Sequence, residues 1–159
     1  EDMEHIMTVC SSTGQKEVWK LTEKLLEKHG ILCQHTLSMT NILACAIPVF
    51  KAPNRNRDRR KEWFYDITIS LSMQVIWNAQ YERVIQNHNT PFSPVQMQNR
   101  WWKRVQNRLD LDRLMMHKWF GKKALQKALV IKTWSGMMDD EHQLLEDWTE
   151  ADRVLVGKE

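Results

Sequence analysis

Residues 92–121, FSPVQMQNRWWKRVQNRLDLDRLMMHKWFG, carry helix signals at both ends. Ser93 is placed to cap the start, and Gln96 three positions on completes a capping box. Pro94 takes the first helical position, where its missing N–H costs nothing. Phe92 and Met97 have the spacing of a hydrophobic staple, and Gly121 suits a left-handed stop. The pattern predicts one helix across the whole stretch, central to the fold. At about 100° per residue it sorts into two faces. Val95, Trp101, Trp102, Val105, Leu109, Met116, Trp119 and Phe120 share one arc, expected to be core. Arg100, Lys103, Arg104, Arg108 and Lys118 share the opposite arc, expected to meet water or an acidic partner. Leu111, Leu114 and Met115 fall on the wrong side, which predicts a bend or a second contact there.

The remaining chain reads as shorter helices. A second capping box, Ser12 with Gln15, opens a helix that buries Val18, Trp19, Leu21, Leu25 and Leu26 and stops at Gly30. Thr36 or Ser38 can cap a short helix over residues 41–47, which Pro48 ends. Residues 51–62, KAPNRNRDRRKE, lack apolar periodicity and read as a basic loop. Residues 65–77 alternate apolar and polar, a strand signal. The run continues to residue 86 with no turn residue, too long for a strand with no pairing partner, so helix is expected over 61–86. A helix over 122–134 burying Leu125, Ala128, Leu129 and Ile131 follows, and Asp139 or Asp140 can cap a last one carrying Leu144, Leu145 and Trp148, before ends that fray. The prediction is an all-α, irregular bundle of about five helices with a long central helix. It is one domain with four parts: a helical part at 1–50, the basic loop at 51–62, the main core at 63–136 and an acidic tail at 137–159.

Composition agrees. Only 5 Gly and 4 Pro interrupt 159 residues, which disfavours a turn-rich β fold. The 8 Trp read as core anchors before a stacking set. Three cysteines, an odd and sparse count, argue against a disulfide scaffold and for a reducing compartment, the nucleus or cytoplasm. The longest apolar run, residues 42–50, is too short to span a bilayer and predicts no membrane partner. The first residue is Glu1 and not Met, as expected of a piece of a longer polypeptide.

No Gly-rich phosphate loop, nucleophile elbow or H-E-x-x-H motif occurs. Asp110 and Asp112 are two apart on a helix and do not face each other, and Asp139 with Asp140 reads as a cap. No catalysis is expected. His5 and Cys10 form half of a structural zinc motif, which needs four N or S ligands. His29, Cys33 and His35 lie further on as candidates to complete it, against the plainer reading of a buried thiol and a surface imidazole.

The net charge of +3 is polarised. Arg55, Arg57, Arg59, Arg60 and Lys61 cluster in the loop. Arg100, Lys103, Arg104 and Arg108 share a helix face. Such clusters bind phosphates through counterion release, without sequence specificity. The expected partner is RNA or single-stranded DNA, bound weakly and in a sequence-tolerant way. Trp101 or Trp102 is a candidate to stack on a base, although burial is the commoner fate. The acidic stretch at 139–152 can instead occupy the basic face, which leaves a helical protein-interaction or scaffold module as the alternative.

The ordered set EDMEHIMTVC, Ile76 with Trp77, ERVI at 82–85, NRW at 99–101, NRL at 107–109, GKKAL at 121–125, EDWT at 146–149 and VLVG at 154–157 resembles a known family. It is similar to the C-terminal region of fungal LINE-like (non-LTR) retrotransposon polyproteins. There it follows an RNase H-like domain and overlaps the end of the reverse-transcriptase zinc-binding-type segment. The resemblance implies a retroelement-derived helical region that works with the rest of a parent polyprotein in reverse transcription. It also implies that His5 and Cys10 are the second half of a zinc-type site. The family's upstream Cys-x-x-Cys is absent here, so zinc is expected only in a longer parent chain and no cofactor in this one. The polymerase Tyr-x-Asp-Asp and an RNase H carboxylate set are absent too.

Overall fold

In a computed structural model, residues 2–10, 14–32, 38–139, 141–144, 147–151 and 154–157 are described. Helices α1 (Gln15–Lys28), α2 (Met39–Leu43), α3 (Arg59–Ile85), α4 (Pro94–Leu114) and α5 (Lys127–Trp134) make the fold, with a π-helical turn at His5–Val9 and short 3-10 turns between and after them. No strand occurs among the described residues; two isolated antiparallel bridges join Lys51 to Arg57 and Met138 to Val156. The all-α expectation holds.

The helix at the centre is α3 and not α4. It packs against α1, α2, α4, α5 and the His5–Val9 turn. That explains its strand-like pattern. On a helix, apolar residues every second position lie about 200° apart, so alternation is stable only where both sides are covered. Phe64, Ile67, Ile69, Val75 and Ile76 are all buried. Where α1, α3 and α4 cross, small hydroxyls meet. The Trp101 indole N–H donates to Ser72 Oγ at 2.8 Å, and Ser72 lies 2.6 Å from Thr22 Oγ1. The buried indole is thereby satisfied, as a buried polar group must be.

Local end signals formed as read. Ser93 Oγ accepts from Gln96 N–H at 3.3 Å, and Gln96 Oε1 accepts from Ser93 N–H at 2.8 Å. At the end of α1, Gly30 N–H donates to Glu27 and Ile31 N–H to Leu26, a Schellman stop with Gly30 at φ +74°. Ser38 caps α2, which ends at Leu43, short of residue 47. Ser12 and Thr36 lie outside the described residues. Gly14, at φ +67°, precedes α1, and Met97 of α4 packs onto it so closely that a Cβ there would sit 2.5 Å from Met97 Cγ.

Other expectations fail. Helix α4 stops at Leu114, seven residues before Gly121. Leu125 N–H donates to the Met115 carbonyl at 2.9 Å and turns the chain, while His117 Nδ1 accepts from Trp119 N–H and starts a 3-10 turn over Lys118–Lys123. Trp119, read as core, is 86% exposed, and Val95 is 62% exposed. The basic loop is shorter than 51–62: Asp58 caps α3, and Arg59, Arg60 and Lys61 form its first turn. The segment at 122–134 is helical only over Lys127–Trp134, which buries Val130, Thr133 and Trp134; of the residues expected to be buried, Leu125, Leu129 and Ile131 are half-buried and Ala128 is exposed.

Residues 154–157 do not fray. Asp139 N–H donates to the Leu155 carbonyl and Gly157 N–H to the Met137 carbonyl, at 2.8 and 2.9 Å. The Gln106 side chain grips the same segment, donating to the Val154 carbonyl at 2.8 Å and accepting from Val156 N–H at 3.0 Å. Among the described residues no α-helix stands around Leu144 and Trp148; 3-10 turns at Glu141–Gln143 and Trp148–Glu150 stand there. Asp140 and Leu145 are outside the described residues.

Candidate nucleic-acid interface

The basic loop is a tight turn. Asp58 N–H donates to the Phe50 carbonyl at 2.7 Å and Ala52 N–H to the Asn56 carbonyl at 2.8 Å. This closure holds the chain between them in the open, with Arg55 at φ +63°. Beside it runs α5. Arg57, Arg59 and Arg60 share with Lys132, Asn54 and Asn56 the walls of a shallow cleft of about 520 Å³. Two of these arginines are already engaged. Arg57 Nε meets both Glu62 oxygens, at 2.8 and 2.7 Å. Arg60 meets Asp58 at 3.2 Å, which holds the Asp58 carboxyl below the usual range for an aspartate. Arg55 and Arg59 are exposed and form no ion pair among the described residues.

The second cluster lies on α4. Arg100, Lys103, Arg104 and Asn107 face Asn78 and Glu82 of α3 across a cleft of about 240 Å³. Arg100 pairs with Glu82 at 2.7 Å and lies over the Phe92 ring at 4.1 Å. Arg108 pairs with the buried Asp112 at 2.8 Å. Lys103 and Arg104 are exposed and have no acid partner among the described residues. Of the nine cations singled out in the sequence, four are bound to acids, and Lys61 donates to the Gly30 carbonyl at 2.6 Å. The other four, Arg55, Arg59, Lys103 and Arg104, have no acid partner among the described residues.

The expected stacking pair is only half available. Trp101 is fully buried, and Trp102 packs edge-on against it at 4.8 Å and is half-buried. Trp102 lines a small cleft with Lys20, Lys24 and Lys28, a basic stripe that was overlooked although its four-residue spacing marks one face of α1. Also missed were Trp77 and Tyr81, 46% and 56% exposed on α3.

Among its described residues the acidic stretch forms no ion pair with the α4 cations. Among its described acids, Asp147 and Glu150 pair with Lys127, and Glu141 accepts from the Gly136 and Met138 amides. Arg113 of α4 donates instead to the Thr149 and Ala151 carbonyls.

His5 and Cys10 stand at the two ends of the π-helical turn, joined by a 2.8 Å backbone hydrogen bond from Cys10 N–H to the His5 carbonyl. Cys10 is buried and His5 half-buried. Among the described residues no three His, Cys, Asp or Glu side chains gather where they could hold a metal ion. Cys33 and His35 lie outside the described residues. His29 is turned into the core, stacked on Phe64 at 4.1 Å with Nε2 at 2.9 Å from the Thr133 carbonyl. The two ligands in view are half of a tetrahedral set and do not by themselves fit zinc.

The candidate acids are likewise in structural use. Asp112 accepts from Arg108 and from the Trp134 indole, and Asp110 from Gln106. Asp139 contributes its backbone to the Leu155 pairing. The fold and surface define a helical module with basic clefts. Comparison of the chain with protein families, with curated proteins and with solved structures finds no match.

Proposed function

We propose that the chain is a non-catalytic accessory module that associates with RNA or single-stranded DNA through the phosphate backbone. In this reading it is a helical C-terminal piece of a retroelement-derived polyprotein acting in reverse transcription, inside the cell in nucleus or cytoplasm. Zinc, in a longer parent chain, would need two ligands beyond His5 and Cys10. The observation that carries the reading is the set Arg55, Arg59, Lys103 and Arg104. These are exposed cations without acid partners among the described residues, on a surface where neighbouring arginines are paired. Free cations exchange counterions for phosphates; paired ones must first give up an acid. Among the described residues no helix is long and apolar enough to cross a membrane, in keeping with a partner that is not a bilayer.

The test is a salt titration of affinity for a labelled single-stranded oligonucleotide. Each phosphate contact contributes roughly −0.7 to the slope of log affinity against log salt. Changing Arg55, Arg59, Lys103 and Arg104 together to Gln should flatten the slope by up to about 3 on that scale. Changing the paired Arg57 and Arg60 should flatten it less. An unchanged slope in the fourfold variant, or no binding at low salt, rejects the reading.

A further inference from the structure

Helix α3 carries a second feature that phosphate binding does not use. Ile67, Ser70, Gln74, Trp77, Tyr81 and Val84 follow one another at spacings of three and four, the a/d rhythm by which one helix receives another. This row spans about 25 Å of helix at 1.5 Å per residue. Its first half forms one wall of a groove of about 560 Å³, with Leu111 of α4 opposite and Met3, Met7 and Met73 also lining it. Unbranched Met side chains adapt to the shape of whatever apolar group enters. Its second half is open, with Trp77 46%, Tyr81 56% and Val84 45% exposed.

Charge selects the occupant. Among the described residues no Asp or Glu lines the groove, while Arg104 and Arg108 do. Arg108 is held by Asp112, but Arg104 has no acid partner among the described residues, and Lys103 stands beside it. Glu82, the acid at this edge, is tied to Arg100. A second copy of this chain laid on the row would bring a second set of the same cations against the first, a like-charge contact that opposes self-association.

We infer that the α3/α4 groove docks an acidic amphipathic helix of a protein partner. Its apolar side chains would seat at the three–four spacing between Ile67 and Val84, and its carboxylates would lie along Lys103 and Arg104. This does not depend on the nucleic-acid reading. Both readings use Lys103 and Arg104, but only the helix needs Trp77, Tyr81 and Leu111.

The probe is a synthetic helix of about 18 residues, long enough to span the row, with Leu at the three–four positions and Glu flanking them. A second peptide has Lys in place of every Glu. Binding is followed by titration calorimetry and by NMR of the intact chain. The Glu peptide should bind and the Lys peptide should not. Trp77→Ala and Leu111→Ala, each at a partly exposed position, should weaken the Glu peptide at least about tenfold, as loss of a docking anchor does. Arg104→Glu should shift preference toward the Lys peptide while leaving apolar contacts intact. Absence of Glu-peptide binding at about 1 mM, or binding indifferent to both Trp77→Ala and Leu111→Ala, overturns the inference. So does dimerisation of the chain alone that Trp77→Ala abolishes, since the occupant is then a second copy. Oligonucleotide binding lost in Trp77→Ala with no Glu-peptide binding overturns it too, and makes the row a base-stacking surface.

Discussion

The indole N–H of Trp134 on α5 donates to Oδ2 of Asp112 on α4 at 3.0 Å, while Asp112 Oδ1 receives Arg108 at 2.8 Å. The Trp134 ring in turn meets Phe64 of α3 edge-on at 5.7 Å, and Phe64 stacks on His29 at the end of α1. One buried carboxylate thus ends a row of side chains that ties four helices together.

Removing that carboxylate should cost much of the fold's stability. Asp112→Ala leaves a buried indole N–H and a guanidinium without their acceptor. Loss of one member of a buried pair costs about 3–5 kcal/mol. Arg108 keeps 32% of its side chain in water, so roughly 3 kcal/mol is expected after allowing for solvent screening. Trp134→Phe, which removes only the donor, should cost less. Urea unfolding of both variants is the check, and a loss under about 1 kcal/mol for Asp112→Ala would show that the network is slack.

Acid should weaken the fold through His29. Burial pushes its pKa below the ordinary 6.5, with the hydrogen bond to Thr133 acting in the other direction and Arg60 and Lys61 adding to the depression. Its Nδ1 is buried and has no hydrogen-bond partner among the described residues. Above pH 6.5 the ring is neutral folded and unfolded, and His29 contributes no pH dependence. As pH falls through the unfolded pKa, the unfolded chain takes up a proton that the folded chain refuses, so stability drops. The drop levels off below the folded pKa. His29→Phe keeps the stacking and removes the titration. Its unfolding free energy should fall less than wild type's between about pH 7.5 and about pH 5, a range that brackets the free imidazole value. Equal falls would assign the effect elsewhere.

The C-terminal segment should depend on Gln106. Gln106→Ala removes both side-chain bonds to residues 154 and 156. At roughly 1 kcal/mol each, the segment should open about tenfold or more often. Amide exchange at Val156 reads this directly. Unchanged protection would mean that the Met137 and Asp139 backbone bonds suffice.

Ser93→Ala should destabilise the chain by about 1 kcal/mol by opening the capping box at the start of α4. Gly14→Ala should do worse, because it combines a left-handed backbone with a Cβ driven into Met97. Thermal unfolding ranks the two, and a reversed order would mean that Met97 moves aside freely.

The sequence by itself determined what depends on a single turn of chain. The capping box of Ser93 and Gln96, the stop at Gly30 and the cap of Ser38 are closed by residues within five positions of each other, so their chemistry is legible locally. The all-α class followed from the scarcity of breakers. Tertiary structure alone decided the rest. Helix α4 ends at Leu114 because Leu125 returns to Met115, and nothing within the helix announces that contact. Trp101 is core because Ser72 and Thr22 cross it from two other helices. Arg100 and Arg108 stand on one predicted basic face beside Lys103 and Arg104. Yet Glu82, on a different helix, neutralises the first, and Asp112, one turn on but buried against α5, neutralises the second. Helical periodicity assigns a side chain its direction. Whether a carboxylate, a ring or water waits in that direction is set by the packing of distant elements, and so is the identity of the four cations without an acid partner among the described residues.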